Sequence, residues 1–133
     1  LKKKVAFICV HNSCRSQMAE GWAKKLGVDI LEAYSAGTED YPEVKPLAVE
    51  VMEEVGINMS DHRPKLLADI PEKVDIVITM GCNVDCPFLP CNHREDWGLT
   101  DPSGGPVEGF RETRGIIKEK VEDLIKRIER GEL

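Results

Sequence analysis

Aromatic residues are scarce, with two Trp, two Tyr and three Phe among 133 residues, so the core must be built from aliphatic side chains. No apolar run is long enough to cross a bilayer; Val5 to Val10 is typical. The basic start, Lys2 to Lys4, leads into a short apolar stretch and then a polar loop. A secretory signal would have a longer apolar stretch and a small-residue cleavage site. Positive charge is not in excess. The 18 Lys and Arg against 24 Asp and Glu leave a net charge of −6, which argues against nucleic acid or a membrane as the main partner. The five cysteines are an odd number, so a closed disulfide framework is not expected. With no export signal, the expected compartment is the reducing cytoplasm. What is there, 41% apolar and 32% charged residues, reads as one soluble domain over residues 1–133.

Short β-forming runs alternate with amphipathic ones. Residues 4–9 read as a buried strand and 16–26 as a helix with Met18, Ala19, Trp22, Ala23 and Leu26 on one face. Gly27 is its expected stop. Residues 30–36 read as a second strand closed by Gly37. Residues 44–55 read as a second helix, with Leu47, Val51 and Val55 on one stripe and Gly56 at its end. One helical turn is expected over 64–68 and a buried strand over 74–80. A Pro- and Gly-rich loop follows over 81–109, interrupted by a short strand at 94–97. The last element is a long helix over 107–130 with Phe110, Ile117, Val121, Leu124 and Ile128 facing inward. Strands alternating with helices imply an α/β fold, a parallel sheet with helices on both faces. Ligands of such sheets sit beyond the carboxyl ends of the strands, where Cys9 and the segment after Met80 are delivered.

The densest signal is Cys9-Val-His-Asn-Ser-Cys-Arg-Ser16, which follows a strand and opens a helix. Such a loop can curl backbone N–H groups from Val10, His11, Asn12, Ser13, Cys14, Arg15 and Ser16 around a tetrahedral oxyanion. Arg15 adds a planar fork of donors. Cys9 stands at the mouth, where a helix N-terminus and a guanidinium favour a thiolate nucleophile. His11 reads either as a hydrogen-bonding partner of Cys9 or the oxyanion, or as a solvated loop residue. Asn12 orders the loop through side-chain to backbone bonds. Ser16 can donate to Cys9 and serve as helix N-cap. Asp101, before Pro102, reads on its own as a turn aspartate.

Cys9-x5-Arg15-Ser16 followed by Gln-Met-Ala-Glu-Gly-Trp-Ala, then Tyr34-Ser-Ala-Gly37 and later Asp101-Pro102, resembles the low-molecular-weight tyrosine phosphatase superfamily. The stretch Asn12 to Trp22 is particularly similar to its thioredoxin-coupled arsenate reductase branch. The resemblance covers essentially the whole chain. It implies a three-layer α/β fold with a four-stranded parallel sheet, Cys9 as nucleophile, Arg15 as oxyanion binder and Asp101 as general acid. It also implies arsenate as substrate, thioredoxin as reductant and no cofactor. Glu20 and Ser35 match positions that join Asn12 around a potassium ion in some members. The counterpart of the fourth position is Lys65, so an ammonium is expected in place of the ion, and no metal.

A phosphatase needs one cysteine. Cys82, Cys86 and Cys91 on a Gly/Pro-rich loop suggest thiol–disulfide relay. The resemblance gives the relay its order: Cys82 resolves the Cys9 adduct and a third thiol carries the disulfide to the surface. Better-known members separate the second and third cysteines by six residues. Here three separate Cys82 from Cys86 and eight separate Cys82 from Cys91, so Cys86 is preferred on loop-closure entropy and Cys91 is the runner-up. The Gly, Asn and Pro content of 81–93 permits the rearrangement such a relay needs. Two alternatives compete, a zinc site of Cys82, Cys86, Cys91 and His93, and inert thiols on a phosphatase. Asp101-Pro-Ser-Gly-Gly-Pro106 offers no aromatic slot for phosphotyrosine, which favours the reductase over the phosphatase.

Overall fold

Strand β1 (Lys3–Cys9) forms the middle of the fold because five consecutive residues, Val5 to Cys9, are buried on both sides. In the computed structural model, which describes residues 2–81 and 89–133, β1 pairs in parallel with β2 (Leu31–Gly37) and with β3 (Ile76–Thr79). β3 pairs in turn with β4 (His93–Asp96), giving the order β2-β1-β3-β4 with all strands parallel. The connections are helix α1 (Arg15–Leu26), helix α2 (Pro46–Glu53) with a 3-10 turn at Leu67–Asp69, and the segment between β3 and β4. Helix α3 (Val107–Glu129) closes the chain.

The period-two alternation of the strands divides the core. Val5, Phe7 and Cys9 turn to the face that carries α1, α2 and α3, where they meet Met18, Trp22, Val51, Met52, Phe110, Ile117, Val121 and Leu124. Ala6, Ile8, Ala36 and Val77 turn to the other face, covered by Ile70, Val74 and Leu89, with Leu67 of the 3-10 turn, Tyr34 and Cys91 packed at its margin. Both faces are therefore covered, but unequally. Each large aliphatic side chain buried here contributes about 1.5–3 kcal/mol. Two of the scarce aromatics meet on the helix-bearing face: the Phe7 and Trp97 rings lie 5.6 Å apart.

The observed elements depart from the sequence expectations at their ends. α2 is two residues shorter at each end than 44–55, because Pro46 stands in its first turn and fixes its start. Its buried residues are Ala48, Val51 and Met52, with Leu47 and Val55 only partly covered. In α3, Ile125 is buried and Ile128 is half-exposed. Ion pairs fasten the outer elements: Arg127 grips Glu95 of β4 at 2.7 and 2.8 Å, and Arg111 and Arg114 of α3 hold Glu54 beyond α2. The Arg127 guanidinium, helped by His93 and Trp97 against the effect of burial, holds the Glu95 carboxyl down at about 2. Among the described residues, no helix is long and apolar enough to cross a membrane.

Candidate active site

The loop between β1 and α1 is short and heavily tied. Asn12 takes a positive φ of 54°, which asparagine tolerates better than most residues. It thereby turns its own N–H back onto Cys9, and the N–H donates to Cys9 Sγ at 3.0 Å. Ser16 Oγ lies 2.8 Å from the same sulfur. Asn12 Nδ2 donates to Ser16 Oγ at 2.8 Å, so the hydroxyl has its own hydrogen to give to sulfur. Both groups thus aim a hydrogen at the sulfur.

Behind the loop is a buried polar shell. Gln17, fully buried, donates from Nε2 to Asn12 Oδ1, Asn12 O and Arg63 O, and its Oε1 lies 2.9 Å from His62 Nδ1. The Lys65 N–H also donates to Asn12 Oδ1, at 3.0 Å. On the far side the 38–45 segment wraps the loop: Thr38 and Glu39 N–H donate to Val10 O, and Lys45 N–H to Ser13 O. The approach requires glycine at 37, where a Cβ would lie 2.6 Å from Val10 O.

Arg15, only 8% exposed, is fixed by two carbonyls. Its NH1 group donates to Met80 O at 3.0 Å and Leu99 O at 2.8 Å. NH2 remains beside Asp101 Oδ2 at 3.7 Å, an orientation that leaves it facing the site rather than spent on the scaffold. Asp101 Oδ1 accepts the Ser103 N–H. Burial pushes the Asp101 carboxyl up, but Ser103, Arg15 and Lys45 outweigh it and hold it below the usual value. The start of α1 points at this group. Its N-cap is Cys14, which makes no side-chain cap, so the Cys14 side chain does not occupy the first-turn N–H groups at the loop.

The structure brings the loop and Asp101 together and corrects two expectations. Cys9, Val10, His11, Asn12, Ser13, Cys14, Arg15, Ser16 and Asp101 converge as one site. Ser16 is not the N-cap; it is the second residue of α1, and its hydroxyl is used by Cys9 and Asn12. His11 turns to the rim, where it stacks on Tyr41 with centroids 4.7 Å apart and lies 3.7 Å from Glu39. Tyr41 is a rim residue that sequence reasoning does not single out. It reaches the rim because the 38–45 segment folds over the loop, a contact that no local pattern announces. Lys45 is hydrogen-bonded to the Tyr41 hydroxyl and lies 4.7 Å from the ring centroid.

The expected ammonium is present. Lys65 Nζ lies 3.4 Å from Glu20 Oε1 and 3.3 Å from Ser35 Oγ, and Ser35 also bonds Glu20. Burial raises the Glu20 carboxyl, but Lys24, Ser35 and Lys65 outweigh it. With that cation built in, the cluster does not fit an additional potassium ion.

Cys82 and Cys86 lie outside the described residues, as do residues 82–88 of the 81–93 segment expected to rearrange. Cys91 stands at the opposite edge of the sheet. Its neighbours are pinned to the start of β3, with Val74 N–H donating to Pro90 O and Asn92 N–H to Asp75 O. Cys9 is level with Met80, one residue beyond the Ile8–Thr79 pair, which puts Cys91 roughly 17 Å away along the strands. His93 directs Nε2 to Glu95 at 2.7 Å, and among the described residues no cluster of potential metal ligands occurs.

Sequence and structure comparisons give the relatives of the chain. The arsenate reductase of Staphylococcus aureus (strain Newman) is 45% identical over 127 residues, covering 92% of this chain and 96% of that protein. A solved arsenate reductase in the phosphate-binding state superposes with a TM-score of 0.88 at 45% identity, covering 95% of this chain and 98% of that one. A thioredoxin-dependent arsenate reductase of Corynebacterium glutamicum matches with a TM-score of 0.80 at 34% identity, over 98% of this chain and 63% of that one. The family model for low molecular weight phosphotyrosine protein phosphatase matches residues 4–132. A buried cysteine under two donors, a scaffolded arginine and an aspartate across the mouth thus sit on a matching framework: the chain belongs to the low molecular weight phosphotyrosine protein phosphatase family.

Proposed function

We propose that this protein is an arsenate reductase that uses Cys9, Cys82 and Cys86 in a disulfide relay with thioredoxin as reductant. The observation that carries the chemistry is Cys9 Sγ, held by Ser16 Oγ and the Asn12 N–H at the uncapped start of α1. Arsenate enters the cradle of amides from Val10 to Ser16 and takes Arg15 NH2. Its arrival competes with the Arg15–Asp101 contact and so removes one of the pulls that keep Asp101 ionised. Asp101 can then carry a proton to the leaving oxygen.

The electrons balance in three steps. Cys9 thiolate attacks arsenic(V) and expels water, forming an S–As bond. Cys82 thiolate attacks Cys9 Sγ; the S–As pair stays on arsenic, arsenite leaves, and a Cys9–Cys82 disulfide remains. Cys86 thiolate then attacks Cys82 Sγ and releases Cys9 as thiolate. The Cys82–Cys86 disulfide is reduced by the dithiol of thioredoxin. Two features support Cys82 and Cys86 over Cys91. Met80, the neighbour of Cys9, precedes Cys82 by only two residues, and Cys91 is anchored at the other edge of the sheet. A second reading, hydrolysis of small aryl phosphates, is favoured by the Tyr41 ring at the rim and uses the same Cys9, Arg15 and Asp101.

The test is arsenate-dependent oxidation of a thioredoxin system by the pure protein, followed by peptide mapping with free thiols blocked. Turnover with a Cys82–Cys86 bond is expected. Robust phosphatase activity with no arsenate turnover would overturn the reductase, and a Cys82–Cys91 bond would move the third role to Cys91. Recovery of Cys9–Cys82 alone would exclude a third protein thiol.

A further inference from the structure

Asp96 ends β4 and touches neither Cys9 nor Arg15, yet its carboxylate joins two segments that do. Oδ1 accepts the Thr79 hydroxyl at 2.7 Å and the Gly81 N–H at 2.8 Å. Oδ2 accepts the Gly98 N–H at 3.1 Å. Thr79 and Gly81 end the β3 side, immediately before Cys82. Gly98 opens the segment that runs through Leu99 to Asp101. The two segments are in backbone contact: Gly81 has φ +83°, and a Cβ there would lie 2.5 Å from Leu99 N. A side chain at 81 would therefore wedge them apart. Arg15 NH1 also bridges the two segments, through Met80 O and Leu99 O. One carboxylate and one guanidinium thus tie the same pair of segments. Arg15 donates to Met80 O and Leu99 O directly, with no contact to Asp96. Gly81, by contrast, has its N–H fixed by Asp96.

We propose that Asp96 is a positioning residue for the disulfide-forming step: by fixing Gly81 against Gly98 and Leu99, it sets where the chain leaves toward Cys82, and so how often Cys82 reaches the Cys9 adduct. The proposal rests on the reading of Cys82 as the resolving thiol. Its chemistry is the second step written above, with no added reactant. Because the oxyanion is held by the loop and Arg15, loss of Asp96 should slow disulfide formation while leaving oxyanion binding intact.

The experiment uses the full chain with two readouts. One is the dissociation constant for inorganic phosphate, measured by calorimetry. The other is the rate of Cys9–Cys82 bond formation after one addition of arsenate, with thiols trapped at intervals and mapped. Asp96→Ala should slow bond formation roughly tenfold, the scale of losing an anchoring hydrogen-bonded carboxylate, with phosphate affinity within about twofold. Asp96→Asn keeps an oxygen for Thr79 and Gly81 and should recover most of the rate. Thr79→Val removes one donor and should slow the step by a smaller factor in the same direction, which keeps the test open if Asp96→Ala folds poorly. Equal rates in Asp96→Ala and wild type, or a loss of phosphate affinity as large as the loss of rate, overturn the role of Asp96. A wild-type protein that forms no Cys9–Cys82 bond overturns the relay itself, and this proposal with it.

Discussion

Cys9 and Cys14 stand five residues apart in one loop and are equally hidden, at 5% and 4% exposure, yet their surroundings differ in kind. Cys9 receives a backbone N–H and a hydroxyl whose hydrogen is directed by Asn12. Cys14 is pushed up to about 12, first by burial and then by the charge of Asp101, with Arg15 and Ser103 only partly opposing. Burial alone therefore does not decide whether a cysteine is a nucleophile. The decision rests on donors aimed at the sulfur and on which charge faces it.

The largest expected effect comes from removing the sulfur that the donors serve. Cys9→Ser should abolish arsenate reduction and any aryl phosphatase activity, by at least roughly 10³-fold, because a serine hydroxyl stays protonated under the same donors. Substantial turnover by this variant, read in the coupled thioredoxin assay, would mean that the comparison has been drawn around the wrong thiol.

Asp101→Asn acts on both thiols at once and is next in size. Loss of a general acid should slow turnover by roughly 10²–10⁴. The same change removes the anion that, after burial, does most to raise Cys14, so alkylation of Cys14 under alkaline conditions should become faster. Slower turnover with unchanged Cys14 alkylation would show that burial alone suppresses Cys14.

What the sequence could and could not reveal follows the reach of each interaction. β1, its loop and α1 were legible because strand, turn and helix are local patterns, and because Cys9, Asn12, Arg15 and Ser16 act within eight consecutive residues. The Lys65 ammonium beside Glu20 was foreseeable from aligned positions. Tyr41 on the rim, Gln17 bridging to His62 and Arg63, and Asp96 under Gly81 were not. Each depends on segments that are brought together only when the sheet forms, and none leaves a periodic trace. Of the two uses the sequence allows Ser16, donation to Cys9 and capping of α1, the structure shows the first and gives the cap position to Cys14. Pro46 was a local signal that sets the start of α2, against a hydrophobic stripe that ran past it.

Ser16→Ala sharpens the comparison by removing one of the two donors while keeping the sulfur. A hydrogen bond to a charged group is worth about 1.5–3 kcal/mol, so kcat/KM should fall roughly 10- to 100-fold. A loss of phosphate affinity as large as the fall in kcat/KM would assign Ser16 to holding Asn12 and the loop rather than to the sulfur.

The smallest effect is expected from Cys14→Ala, and it tests the other half of the comparison. With its thiol at about 12, Cys14 is ionised in only on the order of one molecule in 10⁵ at neutral pH. It cannot compete with Cys9 for an electrophile in normal turnover. Its sulfur fills space between the loop and the core that includes Met18 and Met80, so truncation should cost about 1 kcal/mol of stability and lower Tm by a few degrees. Turnover with arsenate should stay within about twofold of wild type, since neither Arg15 nor the donors to Cys9 depend on this side chain. Under peroxide, the wild-type protein can lose activity through an off-pathway Cys9–Cys14 bond, and the variant should lose that bond from its peptide map. A tenfold loss of arsenate turnover at unchanged Tm would mean that Cys14 takes part in the chemistry, and that donors to the sulfur are not what separates the two thiols of this loop.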